Sequence, residues 1–189
     1  MGGPRPRPRT WGWHQLDPSW ADRLVADSGV GRGDLVVDVG AGLGALTRPL
    51  LEAGAHVVAV EAHPDRVAAL RRLVGRDAVV VRADAADLRL PRRPFHVVAN
   101  PPFAVTTPLL RRLLHSGSRL RTAHLVLQDQ AARRWAGPAA PAWRRWAPTF
   151  DVELGRPLPR HAFRPPPAVG ARVLVVRRRS AGRHDDGRA

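Results

Sequence analysis

Leu35-Val36-Val37-Asp38-Val39-Gly40-Ala41-Gly42-Leu43-Gly44 is the stretch on which the reading of this 189-residue chain turns. A mostly β-branched run gives way to alternating glycines, the pattern of a buried strand turning sharply towards a helix. Glycine lets the backbone fold tightly and approach a ligand where a Cβ would intrude. The spacing is GxGxG rather than the GxGxxG of dinucleotide-binding turns, which speaks against a nicotinamide-dependent oxidoreductase. On either side the pattern alternates. Residues 57–61, 79–84, 96–100 and 122–128 read as further strands. A helix opens at Asp17-Pro18, with Trp20, Ala21, Leu24 and Val25 at helical spacing, and another follows the glycines through Leu51. Residues 64–74 form a helix that Gly75 closes, Thr107-Pro108 opens one carrying Leu109, Leu110, Leu113 and Leu114, and a basic helix surrounds Arg133 and Arg134. Near-continuous apolar strands separated by helices imply a parallel sheet covered on both faces. Residues 150–154 and 172–176 read as two last strands, an antiparallel hairpin joined by the proline-rich residues 157–167.

Composition narrows the function. With 44% hydrophobic and 25% charged residues, the chain is that of a globular protein. All 31 basic residues are Arg, against 16 acidic ones, and the formal net charge of +15 favours a polyanionic partner. The absence of cysteine excludes disulfides, thiolate metal sites and cysteine nucleophiles. The eight histidines show no metal spacing, so no metal is expected, and Ser116 and Ser118 lie in no nucleophile elbow. With no secretory signal and no apolar run long enough to span a bilayer, the expectation is a cytoplasmic monomer without a membrane partner.

Two acids extend the glycine motif. Glu61 ends the second strand, where a carboxylate can hold both hydroxyls of a ribose, and Asp84 ends the third, where it can accept from an adenine amino group. Ligands in such sheets lie outside the carboxyl ends of the strands, so Gly40, Gly42, Glu61 and Asp84 together suggest an adenosine site.

Asn100-Pro101-Pro102-Phe103 follows the fourth strand. The lone pair of an aromatic amine is delocalised into its ring and is a poor nucleophile. Two acceptors aimed at the amino hydrogens favour a pyramidal nitrogen and expose that lone pair to an electrophilic methyl. The Asn100 side-chain oxygen and the Pro101 carbonyl can supply them from a loop that successive prolines stiffen. Phe103 offers a face on which the base can stack.

In this order the motifs resemble those of the class I methyltransferases that act on amino groups of bases. The nearest resemblance is to the ribosomal RNA adenine N6-methyltransferases, the Erm macrolide-resistance enzymes and dimethyladenosine transferases. Trp13-His14-Gln15-Leu16-Asp17 stands where that family carries Gln-Asn-Phe. Phe163-Arg-Pro-Pro-Pro-Ala-Val169, followed by the strand at Arg172, resembles its Phe-x-Pro-x-Pro-x-Val signature. The resemblance covers roughly residues 11–178 and implies a Rossmann-like α/β domain with a seven-stranded, mostly parallel sheet containing one antiparallel strand. It further implies S-adenosylmethionine bound by Gln15, Asp17, Gly40, Gly42, Glu61, Asp84 and Asn100. Asn100, Pro101 and Phe103 would act on an adenine flipped from its stack, and Phe163 would close the base's other face. The family's small C-terminal helical domain has no counterpart here, and Trp11-Gly12-Trp13 with residues 159–167 resembles a truncated, mycobacterial Erm type. That points to 23S rRNA and macrolide-type resistance.

The expected organisation is a basic Pro/Arg/Trp arm over residues 1–13, a methyltransferase domain over 14–178 and a flexible tail over 179–189. Arg5, Arg7, Arg9, Trp11 and Trp13 of the arm, with Arg133 and Arg134, are the candidate RNA contacts, and Trp143-Arg144-Arg145-Trp146 a further patch. Competing readings are an adenine of small-subunit rRNA, a DNA adenine or protein glutamine substrate, and a non-catalytic RNA-binding paralogue.

Overall fold

The computed structural model describes residues 14–180; the arm residues Arg5, Arg7, Arg9, Trp11 and Trp13 lie outside the described residues, as does the end of the tail. The strands are β1 (Gln15–Leu16), β2 (Leu35–Val39), β3 (His56–Glu61), β4 (Ala78–Arg82), β5 (Phe95–Ala99), β6 (Leu120–Gln128), β7 (Phe150–Leu158), β8 (Phe163–Arg164) and β9 (Ala171–Arg178). The helices are α1 (Pro18–Ser28), α2 (Thr47–Glu52), α3 (Pro64–Val74), α4 (Thr106–Leu113), α5 (Asp129–Trp135) and α6 (Trp143–Trp146). Seven strands form one sheet in the order β4-β3-β2-β5-β6-β9-β7. All pairings from β4 to β6 are parallel, and β9 runs antiparallel to both its neighbours. This is the α/β sheet that the strand pattern implies, with the one antiparallel strand at β9.

Strand alternation separates two cores. Val37, Val97, Leu125 and Leu174 face α4, α5 and α6 with Leu109, Leu113, Trp135 and Trp146, while Val36, Val98, Val126 and Val173 face the other side with Leu24, Leu50 and Leu70. Helix boundaries follow local chemistry. Asp17 caps α1 by accepting from the Ser19 backbone N–H at 3.2 Å, Pro18 occupies its first turn and Gly29 ends it at φ 67°. Gly75 closes α3 where expected.

Several boundaries differ from the sequence reading. The third strand ends at Arg82, so Asp84 lies beyond it and caps a single 3-10 turn by accepting from Ala86 N–H at 2.9 Å. The helix after the glycines begins only at Thr47. β7 runs on to Leu158 and takes in Pro157, which an edge strand tolerates because an edge leaves one side of its backbone unpaired. The proline-rich segment also contains β8, which pairs with β1 in a separate two-stranded ribbon, Gln15 opposite Arg164 and Leu16 opposite Phe163. A two-residue strand leaves no periodicity to read.

His124 sits in β6 with 3% of its surface exposed and its Nδ1 without a partner. Burial, with Arg177 adding repulsion, pushes its pKa down to about 4. A histidine of depressed pKa stays neutral in the fold while the unfolded chain takes up a proton near pH 6.5, so its contribution is lost as pH falls from about 6.5 to about 4. Urea unfolding of wild type and His124→Leu at pH 7 and pH 4 should show the wild type losing roughly 3 kcal/mol more than the variant over that interval. Equal losses would mean that His124 is protonated in the folded protein.

Candidate active site

The chain passes from β2 outward through β3 to β4 and then returns to place β5 on the other side of β2. That reversal opens a crevice between the carboxyl ends of β2 and β5, the usual ligand position in an open α/β sheet. The glycine loop leaves β2 and the Asn-Pro-Pro-Phe loop leaves β5, so two motifs 60 residues apart meet there. Gly40 has φ 77°, and a Cβ on it would lie 3.0 Å from Pro102 Cδ and 3.2 Å from the Pro101 Cα. Glycine is required there on both counts, conformation and contact. The loop is pinned to β3 by Gly40 N–H and Ala41 N–H, both donating to the Val60 carbonyl at 2.8 and 3.0 Å.

Glu61, 5% exposed, holds the same loop. Its Oε2 accepts from Gly42 N–H at 2.9 Å, and its Oε1 accepts from Ala62 N–H and His63 N–H at 2.9 and 2.8 Å. Oε2 therefore keeps acceptor capacity towards the crevice.

Asn100 is fixed from the other end of the chain. Its Nδ2 donates to the His14 backbone carbonyl at 2.6 Å. A carbonyl only accepts, so the amide cannot be turned the other way, and its Oδ1 is left as an acceptor on the opposite side. His14 is held in turn by its ring Nδ1, which donates to the Pro165 carbonyl at 2.8 Å, and its ring lies 6.1 Å from that of Phe103. The proline signature thus acts by carrying β1 over the site.

Two pockets that share Gly40 and Asn100 fill the crevice. One is lined by Gln15, Leu16, Asp38 and Leu43 as well; the other by His14, Glu61, Arg66, Pro101, Pro102 and Phe103. Gln15, Gly40, Glu61, Asn100, Pro101 and Phe103 are therefore brought together. Gly42 joins them through its bond to Glu61.

Other expected residues stand elsewhere. Asp17 is occupied by the cap of α1 and by Arg164 at 3.1 Å, and it lines neither pocket. Asp84 caps its own turn and also lines neither. Phe163 is 1% exposed and packs in the core beneath β1, opposite Leu16, so its ring has no face to offer a base. Arg133 is drawn into a network in which Asp129 holds both it and Arg172, at 2.7 and 2.6 Å, while Arg134 is exposed on α5.

Asp38 is the residue to which sequence reasoning gave no role. It is fully buried and lines the first pocket. Its Oδ2 accepts from the Thr47 hydroxyl at 2.7 Å, while its Oδ1 has no partner. Burial, reinforced by the charge of Glu61, raises its pKa to about 7. An unpartnered carboxylate oxygen beside a glycine cradle suits a ligand with a cationic end. The orphaned oxygen, the Gly40 cradle and the acceptors of Glu61 fit S-adenosylmethionine, which carries an ammonium, a sulfonium and a ribose. Among the described residues no group of three or more His, Asp or Glu side chains could hold a metal, and no helix is long and apolar enough to cross a membrane.

Comparison with known proteins bears on this geometry. The profile of a family described as ribosomal RNA adenine dimethylase matches residues 14–186. The mycinamicin-resistance protein MyrB of Micromonospora griseorubida is 39% identical over 80% of this chain and 49% of its own. The ribosomal RNA small subunit methyltransferase A of Cupriavidus taiwanensis is 37% identical over 82% of this chain and 59% of its own. The crystal structure of the 23S rRNA methyltransferase ErmE superposes with a TM-score of 0.77 at 27% identity, over 88% of this chain and 70% of that one. The chain spans about half to two thirds of the length of the curated relatives it matches.

Gly40→Ala would force a Cβ into the Pro101-Pro102 backbone at a left-handed φ. Thermal unfolding should show a loss of about 1–3 kcal/mol, and calorimetry a matching loss of S-adenosylhomocysteine affinity. A variant of wild-type stability and affinity would mean that the two loops are not in contact.

Proposed function

Since this chain belongs to the ribosomal RNA adenine dimethylase family, we propose that it transfers a methyl group from S-adenosylmethionine to N6 of an adenine in 23S rRNA, and that this confers macrolide-type resistance. The observation that carries the chemistry is the orientation of Asn100, whose Nδ2 is committed to the His14 carbonyl so that its Oδ1 is left to accept from the target amine. When bound, the cofactor supplies a methyl group made electrophilic by a positively charged sulfur.

The chain's own residues do the rest. Gly40 and Gly42 would line the nucleoside, Glu61 would accept from the ribose, and Asp38, buried beneath the glycine loop, would set its charge against the ammonium end. Asn100 Oδ1 and the Pro101 carbonyl draw on the two amino hydrogens and free the nitrogen lone pair. Phe103, half-buried at the mouth of the second pocket, stacks on the flipped base. The nitrogen–methyl bond would form as the sulfur–methyl bond breaks to leave a neutral thioether, and the methylated nitrogen, acidic once cationic, would shed its proton to water, so that no carboxylate base is needed.

The large-subunit substrate is favoured by the likeness to the 23S rRNA methyltransferase ErmE, and the resistance by the likeness to the mycinamicin-resistance protein MyrB. A second reading, an adenine of small-subunit rRNA, is favoured by the comparable identity to the Cupriavidus methyltransferase. Incubation with labelled S-adenosylmethionine and each purified rRNA, followed by mapping, separates them. Label should enter an adenine of 23S rRNA and fall on the order of 100-fold or more with Asn100→Ala. Label in 16S rRNA alone would overturn the large-subunit assignment, and no label in either would overturn the reaction.

Cofactor binding should also displace the Asp38 proton. Its free carboxyl, with a pKa raised to about 7, must ionise against the ammonium. Calorimetry at pH 6 in buffers of different ionisation enthalpy should show most of one proton released on binding S-adenosylhomocysteine, and none with Asp38→Asn. No release from the wild type would place the ammonium elsewhere.

A further inference from the structure

Away from the catalytic crevice, two large hollows join along the face of the sheet covered by α4, α5 and α6. The first, of about 1610 Å³, lies between the segment after β4 and the outer side of α4, and its rim carries Arg89, Arg92, Arg111 and Arg119. The second, of about 1210 Å³, lies between the end of α4 and α6, with Arg145 on its rim and Leu114, Trp135 and Trp146 in its wall. Arg111 and His115 line both, so the two are one continuous groove.

Its arginines differ from those that are ion-paired elsewhere on the surface. Arg48, Arg133, Arg156, Arg164, Arg172, Arg177 and Arg179 each meet a carboxylate. Arg89, Arg92, Arg111, Arg119 and Arg145 are all exposed, and none forms an ion pair among the described residues. The one acid beside the first hollow, Asp87, is taken by Arg112, which also donates to the Ala86 and Leu88 carbonyls and so ties that segment to α4. Arg112 is structural; the five others bring uncompensated guanidinium groups to the lining of one groove. Such a set repels itself unless a polyanion runs along it.

The groove also has the right starting point. Pro108, in the first turn of α4, stands on its wall five residues after Phe103. From there it follows α4 towards His115, about 10 Å at the ordinary rise per residue. A strand leaving the base on Phe103 would cross only the short stretch between Phe103 and Pro108 before entering it.

We propose that this groove is a track for the phosphodiester backbone of the single-stranded RNA that flanks the target adenine, with Arg89, Arg92, Arg111, Arg119 and Arg145 as phosphate contacts. The inference rests on the RNA reading above and assigns it a surface that none of the sequence motifs marks as a whole. Bidentate guanidinium–phosphate pairing explains a set of arginines, and the apolar wall at Leu114, Trp135 and Trp146 suits ribose and base edges.

The test compares the full chain with a groove variant, Arg89→Ser/Arg92→Ser/Arg111→Ser, and with a charge-matched control on the opposite face, Arg32→Ser/Arg71→Ser/Arg72→Ser. Binding to a fluorescent 23S rRNA fragment is measured across a salt series, alongside methylation kinetics and S-adenosylhomocysteine affinity. The groove variant should bind about tenfold or more weakly at 0.1 M salt, with its log–log salt slope reduced by about 2. Its KM for RNA should rise while kcat at saturating RNA and cofactor affinity stay at wild-type values; the control should change little. A groove variant that behaves like the control, while the wild type methylates rRNA, would overturn the groove and leave the reaction standing. A wild type that neither binds nor methylates rRNA would overturn both. Competition by polyglutamate as effective as by RNA would assign the groove to an acidic protein instead.

Discussion

The hydrogen bond from the Asn100 amide to the His14 carbonyl is the constraint on which the site depends. It ties the end of β5 to a segment 86 residues earlier and decides which end of the amide faces the crevice. The carbonyl is held in place by the pairing of β1 with β8, by the His14 ring on the Pro165 carbonyl, and by the Asp17 N–H donating to the Ala162 carbonyl at 2.9 Å. Leu16 and Phe163, facing each other in that ribbon and each 1% exposed, supply its apolar anchor. Two strands of two residues would be unstable alone. Packed on the core, they bring the beginning and the end of the domain over the same pocket.

A second constraint works from below. Asp38 is held in the core with only the Thr47 hydroxyl as a partner, and its other oxygen is unmatched. A buried unpaired carboxyl is costly, and here it responds by holding its proton up to about pH 7. Glu61 is arranged differently, with three backbone N–H groups on its carboxylate. Two carboxyl groups at neighbouring strand ends thus serve different ends: one stabilises the glycine loop, and the other stores a destabilised group at the position where a cationic ligand end would relieve it.

The sheet and the crevice were legible in the sequence because each is written in local patterns. Runs such as Leu35–Val39 and His56–Glu61 state their own burial, and Gly40 and Asn100 stand at strand ends whatever the exact register. What remained illegible depends on contacts between distant residues. Phe163 looks the same as an aromatic that stacks on a base, and only its pairing with Leu16 makes it core. Asp84 stands two residues beyond the end of β4, where one of its carboxylate oxygens caps a turn, a boundary that the run of residues 79–84 does not mark. Asp38 was visible in the motif, but nothing in sequence says that Thr47 reaches one of its oxygens and that the other has none. The set of groove arginines comes from four separate segments and has no linear signature; the Arg133–Arg134 pair, which does, is partly spent on Asp129.

The most direct test of this account is a crystal structure of the protein with S-adenosylhomocysteine and adenosine. The account predicts the ammonium of the cofactor product over Asp38, the Asn100–His14 bond intact, and the adenosine amino group within hydrogen-bond distance of Asn100 Oδ1 over the Phe103 ring. An Asn100 amide turned away from the adenosine, with its bond to His14 broken, would contradict it.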